Sequence, residues 1–133
     1  MNTHSYVPLS PTTLLERSGK AFPKRTAISH PGGEISYEEL MIRARKLAGA
    51  LESFDVKFAD RVALLSENNL HTIEAHFAIP AVGGVIVSIN PWLRAEDVVR
   101  QLKFCGAKVL IASQLHRLIL LSVFYNRRFQ LLP

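Results

Sequence analysis

The chain holds one group of side chains with metal-like chemistry, His71, Glu74 and His76, one thiol, Cys105, and one glycine pair, Gly83-Gly84. The H-x-x-E-x-H spacing differs from H-E-x-x-H, which sets two imidazoles one helical turn apart. The two histidines instead diverge around a helix, so they read as surface or helix-end residues. Cys105 lies in an amphipathic stretch with no paired histidine evident, the setting of a small buried hydrophobe and not of an activated nucleophile. Gly83-Gly84 follows a helical pattern and precedes a strand pattern, the reverse of the strand-to-helix turn that presents amides to phosphate; it reads as a tight reversal. Neither G-x-G-x-x-G nor G-x-x-x-x-G-K-[ST] occurs, which disfavours a dinucleotide fold and a Walker-type nucleotidase. Asn90 and Arg94 stand near a strand end, where ligands of open α/β sheets gather. A capping asparagine and a solvated arginine explain them equally well, so no residue is assigned a catalytic, cofactor-binding or metal-binding role.

The elements that would position these residues follow from periodicity. Pro8 and Pro11 mark an extended lead-in, after which Thr12 or Thr13 can cap a short helix ended by Gly19. Thr26 to Ser29 and Glu34 to Ser36 flank His30-Pro31-Gly32-Gly33, a strand–turn–strand signal. From Tyr37 to Phe54, Leu40, Ala44, Leu47, Ala48 and Leu51 recur at helical spacing, with Ser36 and Glu39 placed as a capping box. Arg61 to Ser66 carries Val62, Ala63, Leu64 and Leu65 without alternation, as a strand buried on both faces does. Leu70 to Val82 reads as a helix with Ile73, Phe77 and Ile79 inward, and Pro80 is expected to kink or interrupt it. Strand Val85 to Ile89, helix Ala95 to Phe104 with Val98, Leu102 and Cys105 on one stripe, and strand Lys108 to Ala112 complete the series. Alternating strands and helices imply α/β, with a largely parallel sheet flanked by helices.

Composition narrows the function classes. At 133 residues and 48% hydrophobic content the chain can build one core, which excludes a disordered chain. The net charge of +5 is concentrated at one end: all the acids precede Gln114, after which only Arg117, Arg127 and Arg128 carry charge. No basic stripe interleaved with aromatics runs through the body, so no nucleic-acid partner is expected. The start, MNTHSYVPLSP, has neither a basic run nor a long apolar run, and residence inside the cell is the expectation, cytoplasmic and peroxisomal not being distinguished. In the last stretch the longest apolar block, Leu118 to Leu121, is far short of the roughly 20 residues that span a bilayer. Membrane contact through that stretch would be interfacial.

Four ordered blocks carry a family resemblance: Ser36-Tyr37-Glu38-Glu39-Leu40, Asp60-Arg61-Val62, Gly83 to Pro91 (GGVIVSINP), and Cys105 to Ser113 (CGAKVLIAS). Together, over about residues 12–113, the chain resembles the adenylate-forming acyl-CoA synthetases, also called AMP-dependent synthetases and ligases. Ala59 and Asp55 stand where that family usually has glycine, departures that bear on turn geometry. The resemblance implies that residues 1–113 form the incomplete N-terminal subdomain of an acyl-CoA ligase domain, with residues 114–133 a divergent basic apolar tail, as a shifted frame, retained intron or early stop would leave. It implies ATP-dependent activation of a carboxylic acid through an acyl-adenylate to acyl-CoA, with ATP, Mg2+ and CoA required by the complete enzyme. The wording of Ile79 to Leu93 is closer to fatty-acyl and small-acid ligases, some of which serve fungal secondary metabolism. The family's Ser/Thr/Gly-rich T-S-G-S-T-G-x-P-K loop does not occur here. This chain alone is therefore expected to bind none of the three cofactors and to be an inactive truncated or partial ligase, whose carboxylic-acid substrate belongs to the complete enzyme. The alternative is a non-catalytic module that contacts a protein or membrane.

Overall fold

The computed structural model describes residues 9–116 and 130–131. Helix α1 (Pro11–Ala21) leads into an antiparallel hairpin, β1 (Thr26–His30) and β2 (Gly33–Ser36), followed by α2 (Tyr37–Ser53). Then β3 (Arg61–Leu65), α3 (Leu70–Ala81), β4 (Val85–Ile89), α4 (Ala95–Cys105), β5 (Val109–Ala112) and β6 (Gln130–Leu131) build the sheet, with a short 3-10 turn at Gln114–His116. The sheet runs β4-β3-β5-β6, and every pairing is parallel. The α/β expectation holds. Gln130–Leu131, from the stretch read as a tail, lies beside β5; the interfacial reading of residues 114–133 otherwise falls largely outside the described residues. No helix among the described residues is long and apolar enough to cross a membrane.

The strand order explains why Val62 to Leu65 is apolar throughout. The crossover from β3 to β4 steps one way along the sheet and that from β4 to β5 steps back over β3, so two right-handed crossovers place α3 and α4 on opposite faces. Val62, Leu64 and Val109 point to one face and pack with Leu51 of α2 and Ala75, Ala78 and Ile79 of α3. Ala63, Leu65 and Leu110 point to the other and pack with Val98 and Leu102 of α4. A third cluster, Leu15, Ile35, Leu40 and Ala44, joins α1 and the hairpin to the first turns of α2.

Several expected details differ. Ser10, not Thr12 or Thr13, caps α1: its Oγ accepts the Thr13 amide at 3.2 Å while Thr13 Oγ1 accepts the Ser10 amide at 2.9 Å. Pro11 thus opens the helix, where its fixed φ and missing N–H cost nothing. Gly19 does not end α1, which continues to Ala21. It is a contact residue, since a Cβ there would stand 2.9 Å from the Met41 sulfur of α2. Ser36 Oγ accepts the Glu39 amide at 3.2 Å, the hydroxyl half of the expected box.

In α3 the inward face is Glu74, Ala75, Ala78 and Ile79, whereas Ile73 is 38% exposed. Phase is set by what the helix meets: Ile73 borders an open cleft, and Glu74 meets Arg43 of α2. Pro80 stays inside the helix, one residue from its end, where little remains to interrupt. Gly106 ends α4 in the left-handed conformation, φ 61°, the usual helix stop.

Candidate functional site at the strand carboxyl ends

Ligands of open parallel sheets bind beyond the strand carboxyl ends, where successive connections leave in opposite directions. Here that switch point lies between β3 and β5, because β3 feeds α3 towards β4 while the chain after β5 returns to the sheet on the other side. Ser113 is held there by its amide, which donates to the Leu65 carbonyl at 3.1 Å. The β3–α3 loop closes on itself. Asn69 Oδ1 caps α3 through the Thr72 amide at 2.9 Å, its Nδ2 donates to Ser66 Oγ at 2.9 Å, and Thr72 Oγ1 donates to the Glu67 carbonyl at 2.6 Å.

His116 fills the crevice and is 7% exposed. Its Nε2 lies 3.0 Å from the Pro91 carbonyl, after β4. Its Nδ1 lies 2.9 Å from Ser113 Oγ, after β5, and 3.4 Å from Glu67 Oε1, after β3. Three strand ends therefore converge on one imidazole. The Glu67 carboxyl is held below the ordinary carboxylate range, chiefly by its own backbone amide and then by the Ser113 hydroxyl and the His116 charge, against the cost of desolvation. Sequence reading missed this cluster. Ser113 and His116, three apart at the end of a strand, were its only local trace; nothing local points to Glu67.

The residues singled out from sequence sit differently. Asn90 Oδ1 accepts the Trp92 amide at 2.9 Å, an Asx turn that starts the loop towards α4. The Arg94 carbonyl receives the amides of Asp97 and Val98 at 3.0 and 3.1 Å, and its side chain is exposed. His76 Nδ1 bonds the Thr72 carbonyl of its own helix at 2.7 Å. Glu74 is buried and joins His71 Nδ1 at 3.2 Å with Arg43 Nε on its other oxygen, so the central residue of the H-x-x-E-x-H stretch ties α2 to α3. Cys105 is half-buried, its thiol 3.5 Å from the Leu102 carbonyl.

A cleft of about 490 Å³ lies beside this end of the sheet, between the hairpin turn at His30 and Pro31 and the loop residues Asn68 and Asn69. At the opposite end, Lys108 Nζ contacts Asp60 Oδ2 at 2.9 Å and Asp55 Oδ2 at 3.3 Å, and Lys57 Nζ contacts Asp55 Oδ1 at 3.0 Å. This cationic group is neutralised and faces away from the crevice. Among the described residues no three His, Cys, Asp or Glu side chains gather closely enough to hold a metal ion.

Comparison with known proteins places this geometry. A trans-cinnamate:CoA ligase of Petunia hybrida is 37% identical over 109 residues, 82% of this chain and 19% of its own length. A long-chain-fatty-acid–CoA ligase of Thermus thermophilus is 36% identical over 102 residues, again 19% of its length. The chain thus spans about a fifth of the length of these two curated relatives. Among solved structures, a benzoate CoA ligase from Burkholderia xenovorans superposes with a TM-score of 0.83 at 26% identity, over 90% of this chain and 24% of that one. A Rhodopseudomonas palustris protein named as a putative long-chain-fatty-acid CoA ligase gives 0.82 at 28% identity, over 89% and 30%. The family model described as AMP-binding enzyme matches residues 15–126, past Ser113 and into the stretch read as divergent. With the parallel sheet, the ordered sequence blocks and this match in agreement, the chain belongs to the AMP-binding enzyme family.

Proposed function

We propose that this chain is the opening part of the large domain of an acid–CoA ligase, and that by itself it does not activate a carboxylate. The carrying observation is that 82% of the chain aligns with only 19% of a CoA ligase. In the complete enzyme a carboxylate oxygen attacks the α-phosphorus of ATP, forming acyl-adenylate and releasing pyrophosphate. The CoA thiolate then attacks the acyl carbon and AMP leaves. Both steps depend on donors and metal charge placed around the phosphates and not on the scaffold alone.

The described side chains do not fit ATP–Mg2+. At the strand ends Glu67, Ser113 and His116 bond one another, Arg94 is an isolated exposed cation, and Lys108 is paired with aspartates at the far end. What this segment contributes is a scaffold: a parallel sheet whose carboxyl ends face the place where later parts of a ligase would build the nucleotide site. The relatives act on acids as different as cinnamate and long-chain fatty acids by name, so the acid class is set outside this segment. The petunia relative is peroxisomal by name, which supports a peroxisomal setting for this chain.

ATP–pyrophosphate exchange with a panel of aliphatic and aryl acids tests the reading. The expected result is exchange indistinguishable from a no-protein control. Robust acid-dependent exchange by the purified chain would overturn it.

A further inference from the structure

Among the described residues β4 is an edge of the sheet, with β3 as its one neighbour. The Val85 amide donates to the Asp60 carbonyl at 2.8 Å. Backbone groups alternate in side along a strand, so Val85, Val87 and Ile89 bond β3, while the N–H and C=O groups of Ile86 and Ser88 point away from the sheet. Natural edges of this kind are blunted by lysine, proline or a bulge. Val85 to Ile89 holds no charge and no proline, and its register with β3 runs unbroken from Arg61–Val85 to Leu65–Ile89. An exposed aromatic stands at each end. Phe58, 88% exposed, lies against Gly83 just before the strand, and Trp92, 84% exposed, follows it.

We propose that β4 docks a second copy of this chain, edge to edge and antiparallel, about a two-fold axis at Val87. In that register Ile86 of each copy faces Ser88 of the other, and each such pair exchanges both backbone bonds. An axis at Ile86 would instead set Ser88 against Gly84, whose amide already donates to the Ile79 carbonyl. An axis at Ser88 would set Ile86 against Asn90, whose carbonyl already accepts the Leu93 amide. Only the axis at Val87 matches outward groups with outward groups. The same symmetry argues for the occupant. The strand offers no charge to select an acidic or basic peptide, its own copy is equally neutral, and the antiparallel arrangement brings the Phe58 end of one copy to the Trp92 end of the other. A seam of five residues a side is short for a stable interface, so the dimer is weak and depends on concentration. The pairing rests on the geometry of β4 and not on the ligase reading.

Sedimentation of the full chain from low micromolar to near-millimolar concentration, with amide hydrogen exchange at both ends of that range, tests it. The expected mass rises from one chain to two and stops there, because an isologous contact closes. As it rises, the Ile86 and Ser88 amides slow more than those of Val85, Val87 and Ile89, which already bond β3. Ser88→Lys sets an edge charge against the partner's Ile86 and is expected to weaken association by at least about tenfold. Ser88→Pro removes an amide that makes no bond to β3 and should also yield a monomer, with far-UV circular dichroism unchanged. A monomer at every concentration overturns the pairing, as does growth beyond two chains. A dimer whose Ile86 and Ser88 amides exchange as fast as the monomer's overturns it in the wild-type chain alone, whatever the variants do. A dimer undiminished by Ser88→Lys overturns it as well.

Discussion

The Ala59 amide donates to the Gly83 carbonyl at 2.8 Å, and both residues are left-handed, with φ of 65° and 73°. This bond, with the Val85 amide donating to the Asp60 carbonyl at 2.8 Å, starts β3 and β4 together and sets the register in which Arg61 pairs with Val85. Asp55 shares the left-handed conformation at φ 59°. Alanine and aspartate thus adopt the left-handed conformation at both departures from the family's usual glycine.

That conformation is strained for alanine. Removing the Cβ relieves an αL penalty of roughly 1–2 kcal/mol, partly offset by the larger unfolded-state entropy of glycine. Ala59→Gly is therefore expected to stabilise the chain by about 0.5–1 kcal/mol in urea denaturation. Gly83→Ala should do the reverse by about 1–2 kcal/mol, because its Cβ would also stand 3.0 Å from Phe58 Cδ2 and 3.3 Å from Phe58 Cα.

The group at the amino ends of the strands sets a pH dependence. Lysine partners hold Asp55 below its ordinary range, Lys57 first and then Lys108; Asp60 is lowered by the Lys57 amide and then by Lys108. Lys108 is raised, chiefly by Asp60. The aspartates stabilise the fold above their unfolded range near pH 4 and lose that contribution as pH falls through their lower folded values. Lys108 contributes below its unfolded value near pH 10.4 and loses it only as pH rises beyond. Urea midpoints measured across pH should fall at both extremes, and Lys108→Met should flatten both limbs. Salt should weaken the effect, the charges being exposed.

Glu74 is buried against Arg43 and His71. Arg43→Met leaves that carboxylate with only the exposed His71 and is expected to cost about 2–3 kcal/mol, below the range for fully buried pairs because Arg43 is a third exposed. Arg43→Met with Glu74→Met should recover most of the loss. Additive losses in the double variant would show that the two side chains do not act as a pair.

The amino-acid sequence by itself determined the elements and their order: the α2 stripe of Leu40, Ala44 and Leu51, the doubly buried strand Val62 to Leu65, the Gly83-Gly84 reversal, and the family blocks. These rest on spacing within a few residues, which local geometry translates directly into a helix face, a strand or a turn. The helix cap moved to Ser10 because Pro11 is compatible with a first turn as well as with an extended lead-in, two readings that the local pattern does not separate.

Only the tertiary structure decided which face of α3 turned inward and what gathered at the crevice. Ile73 and Glu74 are adjacent, and the charged one is buried because Arg43 arrives from α2 to pair with it. His116 acquires its partners because the parallel order β4-β3-β5 brings the carboxyl ends of all three strands to one edge. Periodicity fixes which residues share a side; it carries no information about the distant group waiting there, and that group determines whether a polar side chain is solvated, paired or held.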